Sequence, residues 1–145
     1  MKRACFIAVV VVILAGTCLA QLPRQVVVVA DVARTNRTGN TGGILFTPTL
    51  TGMFRVSFYV QCTRGSNLGG TALSPMLSWT DDIGADSQMF PSVVDIFAGP
   101  PVSSIFIIKA IAGTPVRWSV RPNTTGDNSV YEVYVALEAI GPTVP

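Results

Sequence analysis

The segment GMFRVSFYVQC, from Gly52 to Cys62, alternates apolar and polar side chains over nearly its whole length. Successive side chains of a β-strand point to opposite faces, so this period of two predicts a strand with one buried and one polar face. The apolar face carries Phe54, Val56, Phe58 and Val60, and the polar face carries Arg55, Ser57, Tyr59 and Gln61. A chain that contains such a strand must place a second layer over its apolar side.

Similar strand-like segments follow one another along the chain, and no ten-residue stretch has apolar residues at helical spacing. The segments between them are rich in Gly, Pro, Asn and Ser, which favour turns. The pattern predicts an all-β domain, a sandwich or a barrel. The predicted strands are Val26 to Val32, Ile44 to Phe46, Met53 to Cys62, Leu73 to Thr80, Val93 to Phe97, Ile105 to Ile111, Val116 to Arg121 and Val130 to Ala139.

These strands differ in how many of their faces are apolar. Val116 to Arg121 and Val130 to Ala139 alternate, which predicts strands with one face buried. Trp118 is expected on the buried side, whereas Arg117 and Tyr134 are expected on the outer side. The segment IFIIKAI, Ile105 to Ile111, is apolar on both faces apart from Lys109. We therefore expect this strand to lie at or beneath a subunit interface.

The N-terminal segment MKRACFIAVVVVILAGTCLA has the composition of a secretory signal. Lys2 and Arg3 precede an apolar run, and Cys18 and Ala20 stand at a cleavage site before Gln21. The alternatives are a short membrane anchor or a lipoprotein site at Cys18. This composition favours a cleaved signal peptide at residues 1–20. Residues 21–145 then form one domain, which is secreted to the extracellular space or the periplasm.

The charge of the remaining domain excludes one class of partner. Lys2 and Arg3 are two of ten basic residues, so a cleaved domain has as many basic residues as its 8 acidic ones. The basic residues are scattered singly, and a protein that grips nucleic acid needs a basic stripe. We expect no nucleic-acid partner, and no membrane association after signal cleavage.

Catalytic chemistry is restricted because the chain contains no histidine. This removes Ser-His-Asp and Cys-His arrangements and the usual zinc and iron ligands. Glu132 and Glu138 share a strand face but would lie about 20 Å apart, too far for a glycosidase pair. We expect no enzyme activity and no cofactor. Cys62 has no partner for an internal disulfide, which leaves a buried thiol or an intermolecular bridge.

Two groups of polar residues are candidate binding sites. Asp81, Asp82 and Asp86 lie in the segment TDDIGADS, which is either an ordinary turn or a loop that binds calcium. The second group lies opposite the core faces of three strands, and its residue types are enriched at interfaces. It consists of Arg55, Tyr59, Arg117 and Tyr134. If their strands are neighbours, these residues form one binding patch; the alternative is ordinary sheet surface with cross-strand pairs such as Arg117 with Glu132.

Three segments resemble complement-type globular heads and the wider tumour-necrosis-factor-like jelly rolls, in the order found in that family. They are FTPTLTGMFRVSFYV (46–60), SSIFIIKAIAGTPVRWSV (103–120) and NSVYEVYVALEAI (128–140). The closing strand departs from the family where Glu132 and Val133 replace a small residue and Gly. The middle segment SPMLSWTDDIGADS is similar to secreted bacterial β-sandwich proteins. The resemblance implies a jelly-roll sandwich that tends to trimerise and carries no catalytic residue.

The sequence thus predicts a single-domain, jelly-roll-like β-sandwich of about eight to ten antiparallel strands after a signal peptide. Its expected function is binding or assembly, as a homo-oligomer with a protein or glycan ligand at its outer sheet face or loops. The alternative is a carbohydrate-binding module, for which Tyr59 and Tyr134 are the available exposed aromatic residues.

Overall fold

A computed structural model describes residues 27–65, 72–94, 100–123 and 128–140. Within these ranges the chain forms nine strands. They are β1 (Val27–Arg37), β2 (Thr41–Phe46), β3 (Gly52–Arg64), β4 (Ala72–Thr80), β5 (Ala85–Met89), β6 (Val93–Val94), β7 (Val102–Ala110), β8 (Val116–Pro122) and β9 (Val130–Ala139). The predicted signal segment lies outside the described residues. Within those ranges, no helix has the length and apolarity needed to span a bilayer.

The strands form two antiparallel sheets packed as a β-sandwich. The front sheet has the order β1-β9-β3-β7, and the back sheet has the order β2-β8-β4-β5, with β6 also paired to β4. Leaving out the two-residue β6, the first strand pairs with the last, the second with the last but one, and so on inward to the β4–β5 hairpin. This wrapping of one antiparallel ribbon across two sheets is a jelly roll.

The core lies between the sheets and is built from the alternating apolar faces. Phe54, Val56, Phe58 and Val60 are buried as expected, and Tyr131, Val133, Val135 and Leu137 of β9 are buried beside them. Aromatic rings join the layers: the ring centroids of Phe58 on β3 and Trp118 on β8 lie 6.4 Å apart. The period-two prediction is therefore confirmed for β3, β8 and β9.

Two parts of the chain differ most from the predicted strand boundaries. Ala85 to Ser87 belong to a segment predicted as a turn, but Ala85–Met89 forms β5, because its main chain pairs with Met76 to Thr80. The residues between the predicted strands that end at Val32 and begin at Ile44 were expected to form a turn segment, yet β1 continues to Arg37 and β2 begins at Thr41. Gly39, with a positive φ, lies in the short connection between the two strands, whereas Asn36, also with a positive φ, lies at the register shift between Arg34 and Arg37 within β1. Residues 95–97 of the predicted fifth strand lie outside the described residues.

Candidate functional site

The front face is the outward surface of the front sheet. It brings together three of the four predicted site residues. Tyr59 on β3 and Tyr134 on β9 stand directly opposite each other in the strand register. Their ring centroids lie 5.6 Å apart with an angle of 63° between the ring planes. The Tyr59 hydroxyl donates a hydrogen bond to Gln61 Oε1 at 2.6 Å. The two rings thus form an edge-to-face pair on the sheet surface.

The phenol of Tyr134 lies beside a negative charge. Glu132, two residues earlier on the same strand face, raises the pKa of Tyr134 by Coulombic repulsion of the phenolate. Desolvation and the contact of the phenol with Glu132 Oε2, 3.5 Å away, raise the pKa further. Tyr134 therefore presents a neutral hydroxyl across the physiological pH range.

Arg55, the third predicted residue, forms an ion pair with Glu138 on the neighbouring strand. The two residues are register partners of β3 and β9, and Arg55 Nε also donates a hydrogen bond to Glu138 Oε2. The charge of Arg55 is therefore neutralised within the chain. The predicted pair of Arg117 with Glu132 is wrong, because these residues lie on different sheets.

Next to these residues of β3 and β9, the edge strand β7 presents an apolar surface to the exterior. Ile105 and Ile107 are 67% and 59% exposed, and their register partners on β3 are Ser57 and Arg55. Phe106, Ile108 and Ala110, on the opposite side of the same strand, pack against or within the core. The prediction that this strand is apolar on both faces is confirmed, and the outer apolar side lies open in the single chain.

Small side chains occupy the middle of the front face. Ser57 on β3 and Ala136 on β9 are register partners. Ala136 is in turn the register partner of Asp31 on β1, so the three residues form one row across the sheet. Ile105 on β7 is the register partner of Ser57, and Tyr134 lies two residues from Ala136 along β9. Large exposed side chains therefore adjoin small ones on this face. The front face is therefore a candidate contact surface.

Arg117, the fourth predicted residue, does not belong to the front face. It lies on β8 in the back sheet, beside Ile44 and Ser78. The expectation of one patch formed by all four residues is therefore wrong. Alternation placed Arg117 correctly on an outer side, but only the pairing of strands decides which of the two sheets a strand joins.

The acidic segment forms a hairpin tip between β4 and β5. Asp81 Oδ1 accepts hydrogen bonds from the main-chain nitrogens of Ile83 and Gly84, at 2.8 and 3.1 Å. Asp82 forms an ion pair with Lys109 on β7. Across the described ranges, no group of three metal-ligating side chains occurs. These contacts favour the turn over the calcium loop.

Cys62 is fully buried and free of a disulfide. Its Sγ contacts the carbonyl oxygen of Arg64 at 3.3 Å. A thiol without solvent access does not reach a second chain. The buried-thiol interpretation is therefore favoured over an intermolecular bridge.

No family model and no curated protein sequence matches this chain. Solved structures are similar at low identity. A structure of infectious bursal disease virus, Gx strain, has 13% identity and a TM-score of 0.44, with 83% of this chain and 34% of that chain covered. The Eiger TNF from S. frugiperda has 14% identity and a TM-score of 0.40, with 77% and 94% covered.

A third similar structure contains the CBM22-1 and GH10 modules of a xylanase from Clostridium thermocellum. It has 14% identity and a TM-score of 0.39, with 86% of this chain and 26% of that chain covered. This chain thus spans about a third of the length of the viral protein and about a quarter of that of the xylanase.

Proposed function

We propose that this chain is a secreted, non-enzymatic binding or assembly module that forms a homo-oligomer through its front face. The observation that carries the proposal is the exposure of Ile105 and Ile107 on a strand whose other side already packs on the core. Contiguous exposed apolar surface bordered by polar residues is typical of interaction sites.

One charged pair of the front face is compatible with burial in an interface. Burying an unpaired charge costs several kcal/mol, whereas a paired charge with hydrogen bonds largely avoids that cost. Arg55 and Glu138 already form such a pair within one chain. A second copy would therefore meet this compensated pair together with aromatic rings of the kind enriched at interface cores. Asp31 and Glu132 also lie on this face, so the interface would leave both carboxylates in contact with water.

The resemblance to tumour-necrosis-factor-like jelly rolls favours a trimer over a dimer. A ring of three or more copies requires one surface to contact a different surface of the next copy. The front face offers two such surfaces, the isoleucines on the edge strand β7 and the tyrosine pair on β3 and β9. Packing the isoleucines of one copy near the tyrosines of the next would satisfy this requirement.

A non-enzymatic role is supported by the lack of histidine in the sequence and by carboxylates that already take part in a turn or in ion pairs. The chain has no histidine to serve as a base at neutral pH. The carboxylates of Asp81, Asp82 and Glu138 are engaged in a turn or in ion pairs. Secretion is supported by the N-terminal segment, and N-terminal sequencing of the exported protein tests cleavage before Gln21.

Light scattering and sedimentation velocity on the exported protein test the assembly. We expect a particle of about three chain masses at micromolar concentration. A monomer that persists on concentration contradicts the proposal. Dissociation of the oligomer by high salt alone would also contradict it, because apolar contacts strengthen rather than weaken in kosmotropic salt.

A second candidate function, carbohydrate binding at Tyr59 and Tyr134, rests on the partial exposure of these rings. The geometry favours it less, because ring planes at 63° to each other provide no shared flat platform for a sugar chain. Trp118 is buried, and Trp79 is partly buried against the core. Loss of glycan binding in both Tyr59→Ala and Tyr134→Ala would support this candidate over assembly.

A further inference from the structure

The back sheet carries a groove on its outward surface, on the opposite side of the sandwich from the front face. The groove has a volume of about 370 Å³ and crosses β2, β8 and β4. Its lining residues include Thr41, Gly42, Ser78, Arg117, Ser119 and Arg121. Among the described residues that line it, none is acidic.

The groove exists because β2 carries glycine where it approaches β8. Gly42 is the register partner of Ser119. A Cβ atom built on Gly42 would lie 2.5 Å from the carbonyl oxygen of Trp118 and 2.9 Å from the Cβ of Ser119. The position therefore excludes any side chain in this backbone arrangement, and the floor of the groove stays low at this point.

Two arginines of β8 line the groove. Arg117 and Arg121 are exposed, lie on the same side of β8, and are four residues apart, which separates their Cα atoms by about 13 Å. In the part of the chain that the structure describes, the ion pairs are Arg55 with Glu138 and Lys109 with Asp82, so neither groove arginine is neutralised. Arginine presents a planar fork of donors that matches sulfate and carboxylate oxygens.

Hydroxyl-bearing residues also line the groove. Ser119 lies between the two arginines on the same side of β8, Ser78 is the register partner of Arg117, and Thr41 completes this set. Ser119 Oγ is buried and has no hydrogen-bond partner among the described residues. A buried polar atom without a partner is uncommon in native proteins, and at a ligand groove it is a point where a ligand or an ordered water completes the hydrogen bonding.

We propose that this groove binds an anionic oligosaccharide, a glycan whose acidic sulfate or carboxylate groups contact Arg117 and Arg121 while its hydroxyls contact the polar floor. The separation of the arginines requires a ligand with at least two acidic groups along an extended chain. A single-stranded nucleic acid fits less well, because it needs exposed aromatic rings for base stacking and Trp118 at this groove is buried.

The proposal is independent of the assembly through the front face, since the two surfaces lie on opposite sheets. An assembly formed through the front faces would leave its grooves outward and present several copies to one glycan chain. Multivalent contact raises the apparent affinity without any new contact in the single groove.

The test is titration of the full exported protein with a sulfated heparin oligosaccharide and an oligogalacturonate, followed by calorimetry. We expect saturable binding of at least one of them, and about tenfold weaker binding for each arginine removed in Arg117→Ala and Arg121→Ala. The control is Arg34→Ala with Arg64→Ala, which removes the same charge from two exposed positions outside the groove. We expect this control to keep the wild-type affinity within about threefold, because exposed distant charges are largely screened.

A second variant separates a shaped groove from simple charge attraction. Ser78→Phe fills the groove and keeps both arginines, and we expect it to weaken binding about tenfold while circular dichroism stays unchanged. Four results would overturn the proposal: no binding of either oligosaccharide, equal binding of neutral maltohexaose, equal loss in the control variant, or tighter binding of a single-stranded oligonucleotide or of phosphatidylglycerol vesicles. If Ser78→Phe does not fold, the paired arginine variants decide the question alone.

Discussion

Replacing Ile105 and Ile107 together by threonine is expected to dissociate the proposed oligomer without unfolding the single chain. These side chains are 67% and 59% exposed in the single chain, so most of their apolar surface is available for burial against another copy. Threonine keeps the β-branched shape that suits a strand, so β7 should persist.

The magnitude follows from that exposed surface. Burying a whole isoleucine side chain contributes about 1.5 to 3 kcal/mol, so the exposed fractions correspond to about 2 to 4 kcal/mol for the two side chains of each subunit. This free energy corresponds to an increase in the dissociation constant of about thirtyfold to a thousandfold. The free energy of unfolding of the monomer should change by less than about 0.5 kcal/mol, because neither side chain contributes to the core.

Sedimentation equilibrium over a dilution series measures the dissociation constant, and urea unfolding of dilute protein measures monomer stability. The matched control is Ile44→Thr with Ile83→Thr, which alters isoleucines that are 54% and 96% exposed but lie on β2 and at the β4–β5 tip. The reasoning is refuted if the control dissociates the particle as much as the double variant does. It is also refuted if Ile105→Thr with Ile107→Thr leaves the particle mass unchanged on dilution.

Three further predictions concern single contacts. Gly42→Ala should lower the free energy of unfolding by about 1 to 3 kcal/mol in urea titrations because its Cβ meets main chain, whereas Gly43→Ala, with open space around its Cβ, should be nearly neutral. Tyr131→Phe should cost about 1 to 2 kcal/mol by the same measurement, because the buried hydroxyl donates a 2.6 Å hydrogen bond to a main-chain carbonyl. Glu132→Gln should lower the pKa of Tyr134, observed by tyrosine NMR, since the neighbouring carboxylate is the first cause of its elevation.

The raised pKa of Tyr134 also makes the stability of the fold depend on pH. A group whose pKa is higher in the folded chain than in the unfolded chain stabilises the fold while it is protonated. This contribution is complete below the unfolded pKa of about 10 and disappears as the pH rises through the higher folded value. We therefore expect the effect of Glu132→Gln on stability to appear only in alkaline solution; an effect of equal size at neutral pH would contradict this assignment.

The two outward surfaces of the sandwich differ in a way that suggests a division of tasks. The front face carries exposed isoleucines, a tyrosine pair and the Arg55–Glu138 ion pair, whereas the back groove, among the described residues, has two unpaired arginines and no acidic lining. The first composition suits contact with another protein chain, and the second suits a hydrated anionic ligand. A protein that assembles through its front sheet and binds an anionic ligand through its back sheet would use both surfaces.

The strand pattern was available from the amino-acid sequence alone. In β3, β8 and β9 the alternation of apolar and polar residues assigned the buried and outer sides correctly, because the two-residue period follows from local backbone geometry. The same pattern identified β7 as apolar on both sides. By contrast, β5 has the polar sequence ADSQM and carries no such signal; it is a strand because β4 pairs with it.

The tertiary structure alone decided which residues meet. Arg55 and Arg117 have equivalent positions in similarly alternating strands, yet one joins the front sheet and pairs with Glu138 while the other joins the back sheet and borders a groove. The partner of a strand depends on contacts between distant parts of the chain. Alternation specifies an inner and an outer side for each strand, but strand pairing and register determine the neighbours, and these neighbours form the two candidate sites.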